Sequence, residues 1–196
     1  PTAQPLLWKA IAAMTRWHTD TALQPSAYDM QLARLAAVGL ALSLLEAAIP
    51  SPLPGIKPGL ANIVTLIALY QLGWRAAVWV SLLRIVAAGL MLGSLFTPGF
   101  WLSLTGGASS VLMLGLASHL PARYFSVLSH SMLAGMAHLA GQLLLARLWL
   151  IPHDGVWQLL PPLMLSSLLA SMATGLLALK LLEQLPPCQA KPLPSP

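Results

Sequence analysis

Six apolar runs, separated by short polar or proline-containing breaks, constrain this chain more than any other feature. They cover about Leu32 to Ile49, Leu60 to Leu72, Ala76 to Leu92, Trp101 to Leu120, Phe125 to Leu148 and Trp157 to Leu182. Most are near the 20 residues that a helix needs to cross a hydrocarbon core of about 30 Å. The second is shorter and stops at Gly73. Only 8% of the 196 residues are charged, against 57% apolar. A water-soluble domain carries about a quarter charged residues, so this chain lacks the polar surface that solubility requires. The expected fold is all-α, an integral membrane bundle of about six transmembrane helices over residues 31–184. Residues 1–30 read as an N-terminal interfacial or flexible segment and 185–196 as a disordered, proline-rich tail. Within the first, Leu7, Ile11 and Met14 recur at helical spacing beside Trp8 and Trp17, a pattern suited to a helix lying in the headgroup layer.

With six spans both termini share one side. That side carries Lys9, Arg16, Arg34, Arg75, Arg123, Lys180 and Lys191, and the other carries Lys57 and Arg147. Seven basic residues against two place both termini in the cytoplasm of a bacterial-type inner membrane. The net charge of +5 is therefore topology information; the basic residues form no patch for nucleic acid. Membrane lipid is the expected environment.

Isolated polar residues inside the runs fall on single helical faces. Gly39, Ser43 and Glu46 do so in the first, and Ala77, Ser81, Arg84 and Ala88 in the third. Ser131, Gly135, His138 and Gln142 follow in the fifth, and Ser167, Ser171 and Thr174 in the sixth. Close helix packing accounts for the small residues. It accounts less well for Glu46, Arg84 and His138, because an ionisable group at depth costs roughly 2.5–3.5 kcal/mol and needs a partner or a cavity. Two readings stay open: a Glu46–Arg84 ion pair that holds the bundle, or a polar cavity lined by Arg84, His138 and Gln142.

The segment PSPLPGIKPGLAN, residues 50–62, interrupts the oily pattern. Pro50, Pro52 and Pro54 prevent the first helix from continuing, and Pro58 suits the first turn of the next. The segment reads as a rigid connector over the outer mouth of the bundle. Lys57 adds a cation there, either for a ligand or as an anchor on lipid phosphate. A positive helix end with Lys57 and Arg84 favours an anionic or zwitterionic small-molecule solute.

PGIK at 54–57, GLAN at 59–62, Glu46 ahead of them, LLRI around Arg84, SLTGG at 103–107 and AHLAGQ at 137–142 resemble the Gx transporter family. That family is also described as heptaprenyl diphosphate synthase component I, and its members resemble the substrate-binding S components of energy-coupling-factor transporters. The resemblance covers about residues 32–182. It departs from the usual pattern at Pro58 and at Leu139, where the family commonly has leucine and asparagine. It implies a substrate-binding and transport protein, with Glu46, Lys57, Asn62, Arg84, His138 and Gln142 as substrate-binding residues. Such a protein needs energising transporter subunits, since the chain has no GxxxxGK[ST] phosphate loop. Ala33, Ala37 and Ala41 form a small-residue stripe on the first helix suited to docking a partner helix, or to packing within the bundle.

The second family description implies a role beside a prenyl diphosphate synthase. Catalysis of that reaction needs Mg²⁺ held by clustered carboxylates. Asp20, Asp29, Glu46, Asp154 and Glu183 are scattered, so the expectation is a non-catalytic accessory subunit in isoprenoid or quinone biosynthesis. No catalytic residue, metal or cofactor is expected. His119, His130 and His138 are not spaced as a clear haem pair, and close packing explains the Gly106–Gly107 pair better than a flavin site.

Overall fold

The computed structural model describes residues 25–48, 59–119 and 126–185. The expected interfacial segment, the proline connector with Lys57, and the tail beyond residue 185 lie outside them. The described residues form six α-helices: α1 (Ala27–Ala48), α2 (Leu60–Leu72), α3 (Trp74–Met91), α4 (Pro98–Ser118), α5 (Val127–Leu145) and α6 (Leu160–Gln184). Five helical segments are long and apolar enough to cross a membrane, and α2 is the shorter sixth. The protein is an all-α, multi-pass membrane bundle.

Local chemistry sets the helix ends, and this is where apolar runs misjudge them. α1 begins five residues before Leu32. The Ser26 hydroxyl accepts from the Asp29 N–H at 3.2 Å, and the Asp29 carboxylate accepts from the Ser26 N–H at 3.0 Å. This reciprocal capping box starts the helix within polar sequence. α4 begins at Pro98 rather than Trp101, with Thr97 as cap and Pro98 in the first turn, where its missing N–H costs nothing. α6 begins at Leu160 rather than Trp157. Pro161 and Pro162 cannot donate to residues 157 and 158, so the preceding Asp154–Leu159 is a 3₁₀ turn. At its other end α5 passes into a π-helical turn, Ala146–Leu150, in which the Ile151 N–H reaches the Ala146 carbonyl at 2.8 Å.

Gly73 alone separates α2 from α3. Its φ of 92° is a conformation that side chains disfavour. The two helices fold back as a hairpin. Asn62 and Arg84, each eleven residues from Gly73, meet through a hydrogen bond. Val64 and Ala68 pack on Ala77 and Val80 along the same seam.

The helices pack in the order α1, α3, α4, α5, α6, with α2 closing the bundle against α1, α3 and α6. Nearly every residue of α2 from Ala61 to Ala68 is buried. A 13-residue helix is only about 20 Å long, and it is sheltered by longer neighbours. The outer surface is the reverse of a soluble protein's: Trp79, Leu83, Leu112, Leu116, Leu165 and Leu169 are exposed. Such a surface requires lipid around it. The polar faces read from the sequence turn inward, with Gly39, Glu46, Ser81, Arg84, Ser131, Ser171 and Thr174 all buried.

Glycines allow neighbouring helices to touch. A Cβ on Gly107 would lie 2.5 Å from Ile85 Cδ1, and one on Gly141 would lie 2.2 Å from the Ser109 hydroxyl. The α5–α6 seam is held by hydroxyls: Ser131 donates to the Ser171 carbonyl at 2.7 Å, and Ser167 to the Gly135 carbonyl at 3.0 Å.

Candidate functional site

A cavity of about 530 Å³ opens at the end of the bundle where α1 finishes and α2 begins. Every helix contributes to it: Ser43 and Glu46 from α1, Asn62 from α2, and Arg84, Ile85, Ala88 and Gly89 from α3. α4 adds Phe100, Leu102 and Ser103, α5 adds Gly135, His138, Leu139 and Gln142, and α6 adds Leu163, Ser166, Ser167, Ala170, Ser171 and Thr174. Arg84 lies seven residues before Met91, the end of α3, which puts its Cα about 10 Å below that end of the bundle.

Five of the six expected substrate-binding residues, Glu46, Asn62, Arg84, His138 and Gln142, line this one cavity. The sixth, Lys57, lies outside the described residues. The gathering follows from topology. The C-terminal halves of α1, α3 and α5 and the N-terminal halves of α2, α4 and α6 share one end of an up-and-down bundle, so distant motifs converge.

Arg84 is 7% exposed. Its aliphatic stem passes α1 where Gly39 has no side chain; a Cβ there would be 3.4 Å from Arg84 Cδ. The guanidinium Nη2 donates to Asn62 Oδ1 at 2.9 Å. Its Nε is buried with no hydrogen-bond partner among the described residues. Glu46, also 7% exposed, accepts the Leu60 N–H through Oε1 and acts electrostatically on Arg84. The carboxylate thus caps the start of α2, where Gly59 brings no side-chain oxygen of its own.

His138 lies across α4. A Cβ on Gly106 would be 2.8 Å from the ring's Cε1 and Nε2, and the ring is hydrogen-bonded to the Gly106 backbone. Its Nδ1 is buried and has no partner among the described residues. Leu139 both lines the cavity and packs with Leu143 and Val156, so the departure from asparagine there joins an apolar wall.

Reasoning from the sequence did not single out Ser94, Thr97, Phe100, Leu102, Leu163 or Ser166. The first two sit in the α3–α4 connection and the others among apolar neighbours, where no periodic signal distinguishes them. The docking stripe lies elsewhere: Ala33, Ala37 and Ala41 are all exposed on α1, away from packing among the described residues. His130 lies away from the cavity, its Nδ1 3.0 Å from the Tyr70 hydroxyl.

No match was found among curated proteins, and none among solved structures. The family model for heptaprenyl diphosphate synthase component I matches residues 35–181, a span that holds all six helices in whole or part and every described residue of the cavity; the chain belongs to that family.

Proposed function

We propose that this chain is a membrane solute-binding and transport protein for a small anionic or zwitterionic molecule, resembling an S component and dependent on an energising partner. The observation that carries the reading is a pair of buried nitrogens on cavity-lining residues, Arg84 Nε and His138 Nδ1, that have no partner among the described residues. A buried polar group without a partner costs about 1–3 kcal/mol, more when charged. Two such groups beside one cavity are what a site looks like when its ligand supplies the missing bonds. Lys57 belongs to the proposed site by its place in the sequence, next to the α2 start. The exposed Ala33, Ala37 and Ala41 offer a smooth surface against which a partner's helix packs. The basic-residue bias puts the cavity mouth on the outer face of the inner membrane and both termini in the cytoplasm.

Mutation of both charges tests the assignment. Arg84→Gln with Glu46→Gln removes the charges together, so neither is left stranded. A double variant that folds yet loses uptake or binding is the expected outcome. A stable double variant with full uptake shows that the charges serve the fold and not a ligand.

The family description favours a second reading, a non-catalytic accessory subunit of heptaprenyl diphosphate synthase. Co-purification of the chain with a soluble subunit bearing the acidic Mg²⁺ site, with activity that depends on both, separates this reading from the first.

A further inference from the structure

The hydrogen-bonding sense of the two unpartnered nitrogens narrows the ligand class; this step rests on the solute-binding reading. Arg84 Nε is a donor, charged at any physiological pH. With Nη2 already engaged by Asn62, Nε–H calls for an acceptor carrying negative charge. His138 has the opposite sense. A neutral imidazole carries one N–H. The edge of the ring that meets the Gly106 backbone is the Nε2 edge, so the proton sits there and is given to the Gly106 carbonyl. Nδ1 is then a bare acceptor, buried and unpartnered. Two residues that line the cavity therefore carry one cationic donor and one neutral acceptor, near enough for the Arg84 charge to act on the His138 ring.

Charge balance adds a second constraint. Among the described residues lining the cavity, Arg84 and Glu46 are the charged ones, and they cancel. No group of three or more His, Cys, Asp or Glu side chains gathers among the described residues to hold a cation beside a polyanion. A diphosphate would bring two or three negative charges to one guanidinium that already shares its field with a carboxylate. A single carboxylate brings only one negative charge to the same guanidinium.

We propose that the cavity selects a small monocarboxylate bearing an N–H or O–H donor beside the carboxylate, an amino-acid-like, hydroxy-acid or N–H heterocyclic acid, with the carboxylate on Arg84 and the donor on His138 Nδ1. The site discriminates against isoprenyl diphosphates, even though the family description points toward them.

Matched probes test this on the full chain in detergent, read by thermal shift and equilibrium dialysis. Lactate and pyrrole-2-carboxylate carry the donor; 2-methoxypropanoate and 1-methylpyrrole-2-carboxylate keep the carboxylate and block it. Geranyl diphosphate is the polyanionic probe. Donor-bearing acids are expected to bind about tenfold or more tightly than their blocked partners, because the blocked acids leave Nδ1 unpaired. His138→Phe should erase that ratio while keeping weak binding of all four acids. Arg84→Gln should abolish binding of all four, with the unliganded melting profile showing that the variant is folded. Equal binding of blocked and unblocked acids, tighter binding of geranyl diphosphate, or no binding of any acid overturns the proposal. Native mass spectrometry keeps the two levels apart: a retained diphosphate refutes the ligand class and leaves the solute-binding reading standing.

Discussion

Gly135→Ala tests the α5–α6 seam on which the cavity floor rests. A Cβ at that position lies 1.7 Å from the Ser171 hydroxyl and 2.9 Å from Ser171 Cβ. Ordinary contact begins near 3.4 Å. Turning the Ser171 side chain to another rotamer relieves the first overlap. The second is set by backbone, so α6 must back away from α5 by about 0.5 Å, stretching the Ser131–Ser171 and Ser167–Gly135 hydrogen bonds, now 2.7 and 3.0 Å. Overpacking of this kind costs about 1–3 kcal/mol. The higher helix propensity of alanine returns at most about 1 kcal/mol. The net expectation is a loss of about 1–2 kcal/mol, read as a fall of a few degrees in the melting midpoint by tryptophan fluorescence in detergent. Adding Ser171→Ala removes the 1.7 Å contact and keeps the 2.9 Å one, so the double variant should recover part of the loss, a coupling of about 0.5–1 kcal/mol. Wild-type stability in Gly135→Ala, or strictly additive losses in the double variant, would show that the two helices do not meet here as described.

Glu46→Ala should destabilise more than Glu46→Gln, by about 1–2 kcal/mol, since glutamine still offers an oxygen to the Leu60 N–H and alanine leaves that donor unpaired; equal melting midpoints would remove the capping role. Gly106→Ala should push the His138 ring into the cavity, given the 2.8 Å approach, and weaken binding of a donor-bearing acid such as pyrrole-2-carboxylate with little change in fold by circular dichroism; unchanged affinity counts against His138 as a contact. An impermeant thiol reagent applied from outside should label a cysteine placed at Ser51 or Asp154 and spare one at Arg123; labelling at Arg123 reverses the topology. The purified chain alone should make no prenyl product from isoprenyl diphosphates and Mg²⁺, and product formation would contradict the reading of its scattered carboxylates.

The sequence by itself determined the class of molecule and the inward faces. Scarce charge with long apolar runs admits little besides a membrane bundle, because unpaired backbone and charge are costly in hydrocarbon. The 3.6-residue period then places Glu46, Arg84, His138 and Gln142 on single faces whatever their neighbours are. Helix ends were read only approximately. Caps such as Ser26 and breakers such as Pro161 and Pro162 act through a few local hydrogen bonds that hydropathy does not register. Tertiary structure decided which groups meet. An ion pair of Arg84 with Glu46 was one open expectation; the guanidinium bonds to Asn62 and the carboxylate caps Leu60, while the two charges still act on each other. That outcome depends on the hairpin at Gly73, which sets Asn62 opposite Arg84 across two helices. The accessibility of Ala33, Ala37 and Ala41 was likewise undecidable from spacing, since an alanine stripe looks the same against a neighbour or facing outward. The state of His138 was a third such case: its Nε2 edge is occupied only because Gly106, on another helix, has no side chain to keep the ring away. Periodicity fixes the direction of a side chain around its own axis, but the partner is chosen by how the helices pack.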